Sequence, residues 1–122
     1  MHWWVSYLLA CLLPLLHGAF PRIIWSYWEQ GYNSTSLFTR LCLNNKQHIA
    51  TKHDWEFRLL SKHNYTRFIN PAILDPVYKL LPRQQPQSRA DLIRIQLMLE
   101  HGGMWMDANS YFTRDLEWAL HP

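Results

Sequence analysis

Cysteine is scarce in this chain, with two among 122 residues, and that scarcity removes a class of fold. Cys11 lies in an apolar leader, which leaves Cys42 alone in the remainder. No internal disulfide framework can staple such a chain. Cys42 falls in an apolar helical pattern and reads as a small core residue rather than a nucleophile. A glycine-rich phosphate loop, a Gly-x-Ser-x-Gly elbow and a Cys-His arrangement are all missing, which argues against P-loop nucleotide hydrolysis and the common hydrolase chemistries. The histidines show no metal spacing, since His48, His53 and His63 are too scattered for a zinc site. Charge of one sign is scarce too: a net charge of +3 without a long basic run gives no expectation of a nucleic-acid partner. There is no internal repeat and no low-complexity tract.

What is present is apolar and aromatic. Hydrophobic residues make up 48% and aromatics 15%, a composition of folded rather than disordered chains, and the length allows one domain with a modest core. Seven tryptophans in so short a chain suggest packing for some and a planar or sugar-like ligand for others. The run from Trp3 to Leu16 is almost wholly apolar, with no Lys or Arg before Arg22. It reads as a signal peptide over residues 1–19 cleaved after Ala19, as an uncleaved anchor using residues 3–20, or as a buried first helix. The first two readings send residues 20–122 into the secretory pathway, to the Golgi membrane or lumen or to the exterior. The triplets Asn33-Ser-Thr and Asn64-Tyr-Thr fit that destination as glycosylation acceptors.

Pro21-Arg-Ile-Ile-Trp-Ser-Tyr-Trp28 is a strand candidate rich in β-branched and aromatic residues, and Glu29–Asn33 closes it with loop chemistry. Ser34–Ser36 offer N-caps for a helix over Leu37–Lys46, with Leu37 and Leu41 four apart. Alternation from Trp55 to Leu60 predicts a second strand. Ser61 is expected to cap a short helix reaching Ile69, stopped by Pro71. Four prolines between Pro71 and Gln87 predict a surface crossover with one helical turn around Asp75–Leu81. Ser88 followed by Asp91 has the form of a capping box. Ile93 and Leu97 face a core, Gly102-Gly103 stop that helix, and Met104–Asn109 reads as a short buried strand. The alternation of strands and helices is an α/β pattern.

The segment from Ser88 to Asn109 concentrates the chemistry. Asp91 and Arg94 share one helix face, although Asp91 alone is well explained as the closing residue of the capping box and Arg94 as a surface arginine. Asp107 follows Met-Trp-Met and belongs at a strand end facing a ligand or in a turn, because an unpaired buried charge is costly. Asn109 would lie on the same side if the strand continues. The pair could then offer oxygens to Mn²⁺ or Mg²⁺; Asx residues that merely shape a turn are the alternative, and the better one on these residues alone.

Three stretches in order resemble one family. Pro21–Gly31 resembles the opening strand of glycosyltransferases with a DXD sugar-binding region, closest to the capsular-polysaccharide-synthesis type. Trp55–Ile69 looks like that family's second strand and following helix. Arg89-Ala-Asp-Leu-Ile-Arg94 and Glu100-His-Gly-Gly-Met-Trp-Met-Asp-Ala108 resemble its ADLLR and YGGIWLDA core. The resemblance implies a GT-A-like α/β fold, a mixed sheet with flanking helices, incomplete at its C-terminal side, that transfers a sugar from a nucleotide-diphosphate donor to a glycan or other acceptor with Mn²⁺ (or Mg²⁺). By motif position, Trp28 would pack on the nucleobase, Asp91 and Arg94 would lie near ribose, donor sugar or phosphates, and Asp107 would be the first DXD aspartate. Asn109 stands where the second aspartate would be. The expectation is a donor-binding N-terminal part of a glycosyltransferase domain. A catalytically inactive truncated relative and a small secreted Trp-rich interaction protein are the alternatives.

Overall fold

The computed structural model describes residues 20–120, so the apolar leader with Cys11 lies outside the described residues. The described chain forms two compact units, one from Arg22–His63 together with the stretch from Met104 on, the other centred on Asn64–Gly103.

The first unit carries the sheet. Strand β1 (Ile23–Tyr27) is drawn from the expected apolar run, and Ile24, Trp25 and Ser26 are fully enclosed. Buried on both faces, it needs partners on both edges. It pairs in parallel with β2 (Glu56–Leu60), Ile24 opposite Phe57 and Tyr27 opposite Leu60. On its other edge it pairs in parallel with β3 (Met104–Trp105), Trp25 opposite Trp105. The order β2-β1-β3 puts the first strand in the middle.

Helix α1 (Leu37–Lys52) bridges β1 and β2. Ser36 caps it, its Oγ accepting from the Thr39 amide at 3.2 Å. It runs one and a half turns beyond the expected Lys46 and ends at His53, followed by Asp54 at φ 58°, a left-handed position that aspartate tolerates better than most residues. Its inward face is Thr39, Cys42, Leu43, Lys46 and Ala50, while Leu37 and Leu41 are exposed. Cys42 is a buried free thiol, as expected. Ile24, Ala50, Trp55, Phe112 and Leu116 form the core, with Ile49, Phe57, Met104 and Met106 packed around it. The segment after β3 brings Phe112 and Leu116 into that core and leads into the short α4 (Glu117–Leu120).

The second unit is helical. Where a linker was expected, Pro71–Leu80 forms helix α2. Pro71 opens it rather than stopping a preceding helix, because proline lacks only an amide that the first helical position leaves unpaired anyway. Asn70 caps it, its Oδ1 accepting from the Ala72 amide at 3.0 Å. The segment before it is reduced to a 3₁₀ turn at Tyr65–Arg67; Ser61 Oγ accepts from the His63 amide instead of capping a helix. Helix α3 (Pro86–Glu100) likewise begins on a proline, with Gln85 in the cap position. Ile93 and Leu97 are fully buried as expected. Arg89 lies over the Tyr78 ring at 4.7 Å, tying α3 to α2. Gly102 and Gly103, at φ 68° and 93°, end the helix, and a β-carbon on Gly102 would stand 3.2 Å from the Pro21 ring. The result is the expected mixed α/β arrangement, a three-stranded parallel sheet with flanking helices, consistent with part of a GT-A-like domain.

Candidate functional site

In a parallel sheet all strands end on the same side, and ligands gather where successive connections leave in opposite directions. Here β1 leads to β2 on one edge, and the chain then returns to β3 on the other, so the switch point lies between the ends of β1 and β3. Trp28 follows β1 directly, and its amide donates to the Leu60 carbonyl at 2.9 Å. Trp28 is half-buried, and its indole Nε1 is enclosed without a partner among the described residues. Beside it the Tyr27 hydroxyl donates to the Glu29 carboxylate.

Asp107 leaves the end of β3. The strand is shorter than expected: after Trp105 the Met106 amide still donates to Trp25 O at 2.9 Å, and then residues 107–110 turn. The Ser110 amide and hydroxyl both donate to Asp107 O, at 3.0 and 2.6 Å. Asp107 and Asn109 consequently do not share one face of a continuing strand. The Asp107 carboxylate is exposed and accepts from Trp105 Nε1 at 3.2 Å. Asn109 is held elsewhere, its Oδ1 accepting from Thr39 Oγ1 at 2.6 Å.

The turn rests on side chains from α1 that sequence reasoning missed. Lys46 is fully buried, and its Nζ donates to Ala108 O at 2.9 Å and Ser110 O at 2.6 Å, with Cys42 O at 3.5 Å. Burial lowers its pKa to about 8, while electrostatic interaction with Cys42 and Asp107 pulls it the other way. Asn45 grips the next residue on both sides, accepting from the Phe112 amide at 2.7 Å and donating to the Phe112 carbonyl at 3.3 Å. The signal that could have found Lys46 was its spacing from Thr39, Cys42 and Leu43, which places a lysine on the apolar face of its helix. An open groove of about 580 Å³ adjoins the turn, walled by Met104, Trp105 and Met106 on one side and by Tyr111–Arg114 and Trp118 on the other.

Within the helical unit, Asp91 and Arg94 meet on the exposed side of α3, Oδ1 to Nη2 at 3.3 Å. Ser88 lies inside that helix and its hydroxyl donates to Arg83 O at 3.4 Å, so the expected capping box does not form. Of the glycosylation triplets, Asn33 is exposed in a 3₁₀ turn and Asn64 is half-exposed. Among the described residues no three His, Cys, Asp or Glu side chains come together as a cation cage.

Comparison with known proteins bears on this geometry. The family model described as capsular polysaccharide synthesis protein matches residues 17–121. The chain belongs to the capsular polysaccharide synthesis protein family. This family member is similar to O-glycosyltransferase PaGT of Phomopsis amygdali, 26% identical over 104 residues that cover 77% of this chain and 25% of that protein. It is similar to O-glycosyltransferase braB of Annulohypoxylon truncatum, 26% identical over 103 residues, 77% of this chain and 24% of that protein. A third relative, glycosyltransferase afumC of Aspergillus fumigatus, is 28% identical over 105 residues, 79% of this chain and 26% of that protein. The chain spans about a quarter of the length of these curated relatives. No solved structure matches it. All three relatives carry glycosyltransferase names, which places the capsular polysaccharide synthesis family among those of glycosyltransferase type.

Proposed function

We propose that this chain forms the donor-binding part of a glycosyltransferase that takes a nucleotide-diphosphate sugar, with Mn²⁺ or Mg²⁺, and delivers the sugar to a glycan or other acceptor. The observation that carries the reading is Asp107, an exposed carboxylate presented from a braced turn at the switch point of a parallel sheet. That is where such sheets bind nucleotides. Asp107 would be the protein ligand to the cation, which supplies charge neutralisation for the departing diphosphate. Asn109, with its carbonyl oxygen engaged by Thr39, is read as an anchor of the turn instead of a second cation ligand.

Trp28, at the end of the neighbouring strand, offers an indole face for the nucleobase and an enclosed N–H without an acceptor among the described residues. An unpaired enclosed donor costs about 1–3 kcal/mol, which makes this position one that a ligand could relieve. Arg94 supplies a fixed positive charge for donor phosphates or sugar and Asp91 orients it; these two roles rest on the likeness of their motif. Routing through the secretory pathway is part of the same proposal, supported by the exposed Asn33 triplet and the apolar leader. None of the described helices is long and apolar enough to cross a membrane.

The test is thermal unfolding with Mn²⁺ plus UDP or GDP. A ligand that binds only the native state at about a hundred times its Kd adds about 2.7 kcal/mol to stability. The parent should show that rise and Asp107→Ala should lose it while keeping its circular dichroism spectrum. Absence of a shift with every nucleotide and cation pair would sink the reading.

A further inference from the structure

We infer that Lys46 is a positioning residue for the donor site, holding the Asp107 turn in its ligand-ready form from beneath; this deepens the donor reading and rests on it. The argument begins with a residue that is out of place. Position 46 belongs to the inward stripe of α1, between Leu43 and Ala50, where an apolar side chain would fill the space without cost. An ammonium group there must find partners for three N–H bonds. It finds three carbonyls, those of Ala108, Ser110 and Cys42.

Two of those carbonyls flank Asn109 and lie one and three residues past Asp107. A short turn has few ways to satisfy its inward carbonyls, and each must be paired. By drawing the 108 and 110 oxygens down onto one atom, Lys46 fixes the turn's curvature and leaves the Asp107 carboxylate as the group presented outward. Thr39 and Asn45 grip the same segment at Asn109 and Phe112. From above, Trp105 Nε1 holds the carboxylate itself. One helix face thus holds the turn from beneath, and the strand that leads into it holds the carboxylate. The proximity of Lys46 to Asp107 also favours the charged ammonium, against the effect of burial.

The experiment compares the parent with Lys46→Met and Thr39→Val. Two quantities are read: the indole N–H resonance of Trp105, assigned by loss in Trp105→Phe, and the affinity for UDP or GDP with Mn²⁺ by calorimetry. Groups that orient a metal ligand from behind typically change affinity ten- to a hundredfold when removed. Lys46→Met, folded by circular dichroism, should move the Trp105 resonance and weaken nucleotide binding by about tenfold or more. Thr39→Val should move the resonance in the same direction by less, and it decides the matter if Lys46→Met does not fold. A folded variant that keeps the parent resonance and the parent affinity overturns the inference, since a merely stabilising lysine would leave both unchanged. If the parent binds no nucleotide, the donor reading fails on its own. The indole resonance then still decides whether Lys46 sets the turn.

Discussion

Asp91 has no cap to close. Ser88 sits within α3, and the aspartate's visible partner is Arg94, one turn away and largely in solvent. Exposed pairs of this spacing contribute about 0.2–0.5 kcal/mol. Asp91→Asn should therefore change the denaturant-unfolding free energy by less than about 0.5 kcal/mol while weakening nucleotide binding. A stability loss well above that, with binding intact, would return Asp91 to a structural role. Lys46 gives a different kind of forecast. Its pKa falls from 10.5 in the open chain to about 8 in the fold, so between those values the unfolded chain binds more protons than the native one. Stability must then rise with pH through that window, by at most about 1.4 kcal/mol per pH unit. The parent's unfolding free energy minus that of Lys46→Met should climb from pH 8 to pH 10; a flat difference would show that the lysine titrates as it would in water.

Helix α2 owes its start to Asn70 and Pro71, and the cap can be weighed alone. Asn70→Ala leaves the Ala72 amide unpaired and should cost about 1 kcal/mol, read as a lowered denaturant midpoint with unchanged m-value; no loss would mean that Pro71 alone sets the helix start. The same element shows why parts of the fold resisted reading. Four prolines between Pro71 and Pro86 looked like breakers, yet two of them occupy first helical positions, where their chemistry is neutral. β1 and β2 were legible because β-branched and aromatic runs bounded by turn residues have few other uses. α1 was found, with Cys42 inward, but the rest of its inward face was not read, and Leu37 and Leu41, apolar and four apart, face outward. The unread part of that face held Lys46 and with it the support of the turn. Asp107 was legible from its place after Met-Trp-Met. The length of its strand was not, since Ser110 and α1 decide where the chain turns, and those contacts span more than sixty residues.

At the scale of the whole chain, the family match spans residues 17–121 and so takes in every strand of the sheet. The sheet also has a direction of growth. β3 is two residues long and, among the described residues, paired on one side only. Among the described residues no strand pairs with its outer edge, an edge that can template a further strand. A parallel strand laid there would end beside Asp107 and roof the groove walled by Trp105 and Trp118. The crevice between β1 and β3 would keep its form, because its floor is set from α1 and β1. An added strand would thus change the rim of the sheet without changing the turn that Lys46 and Asn45 hold from α1.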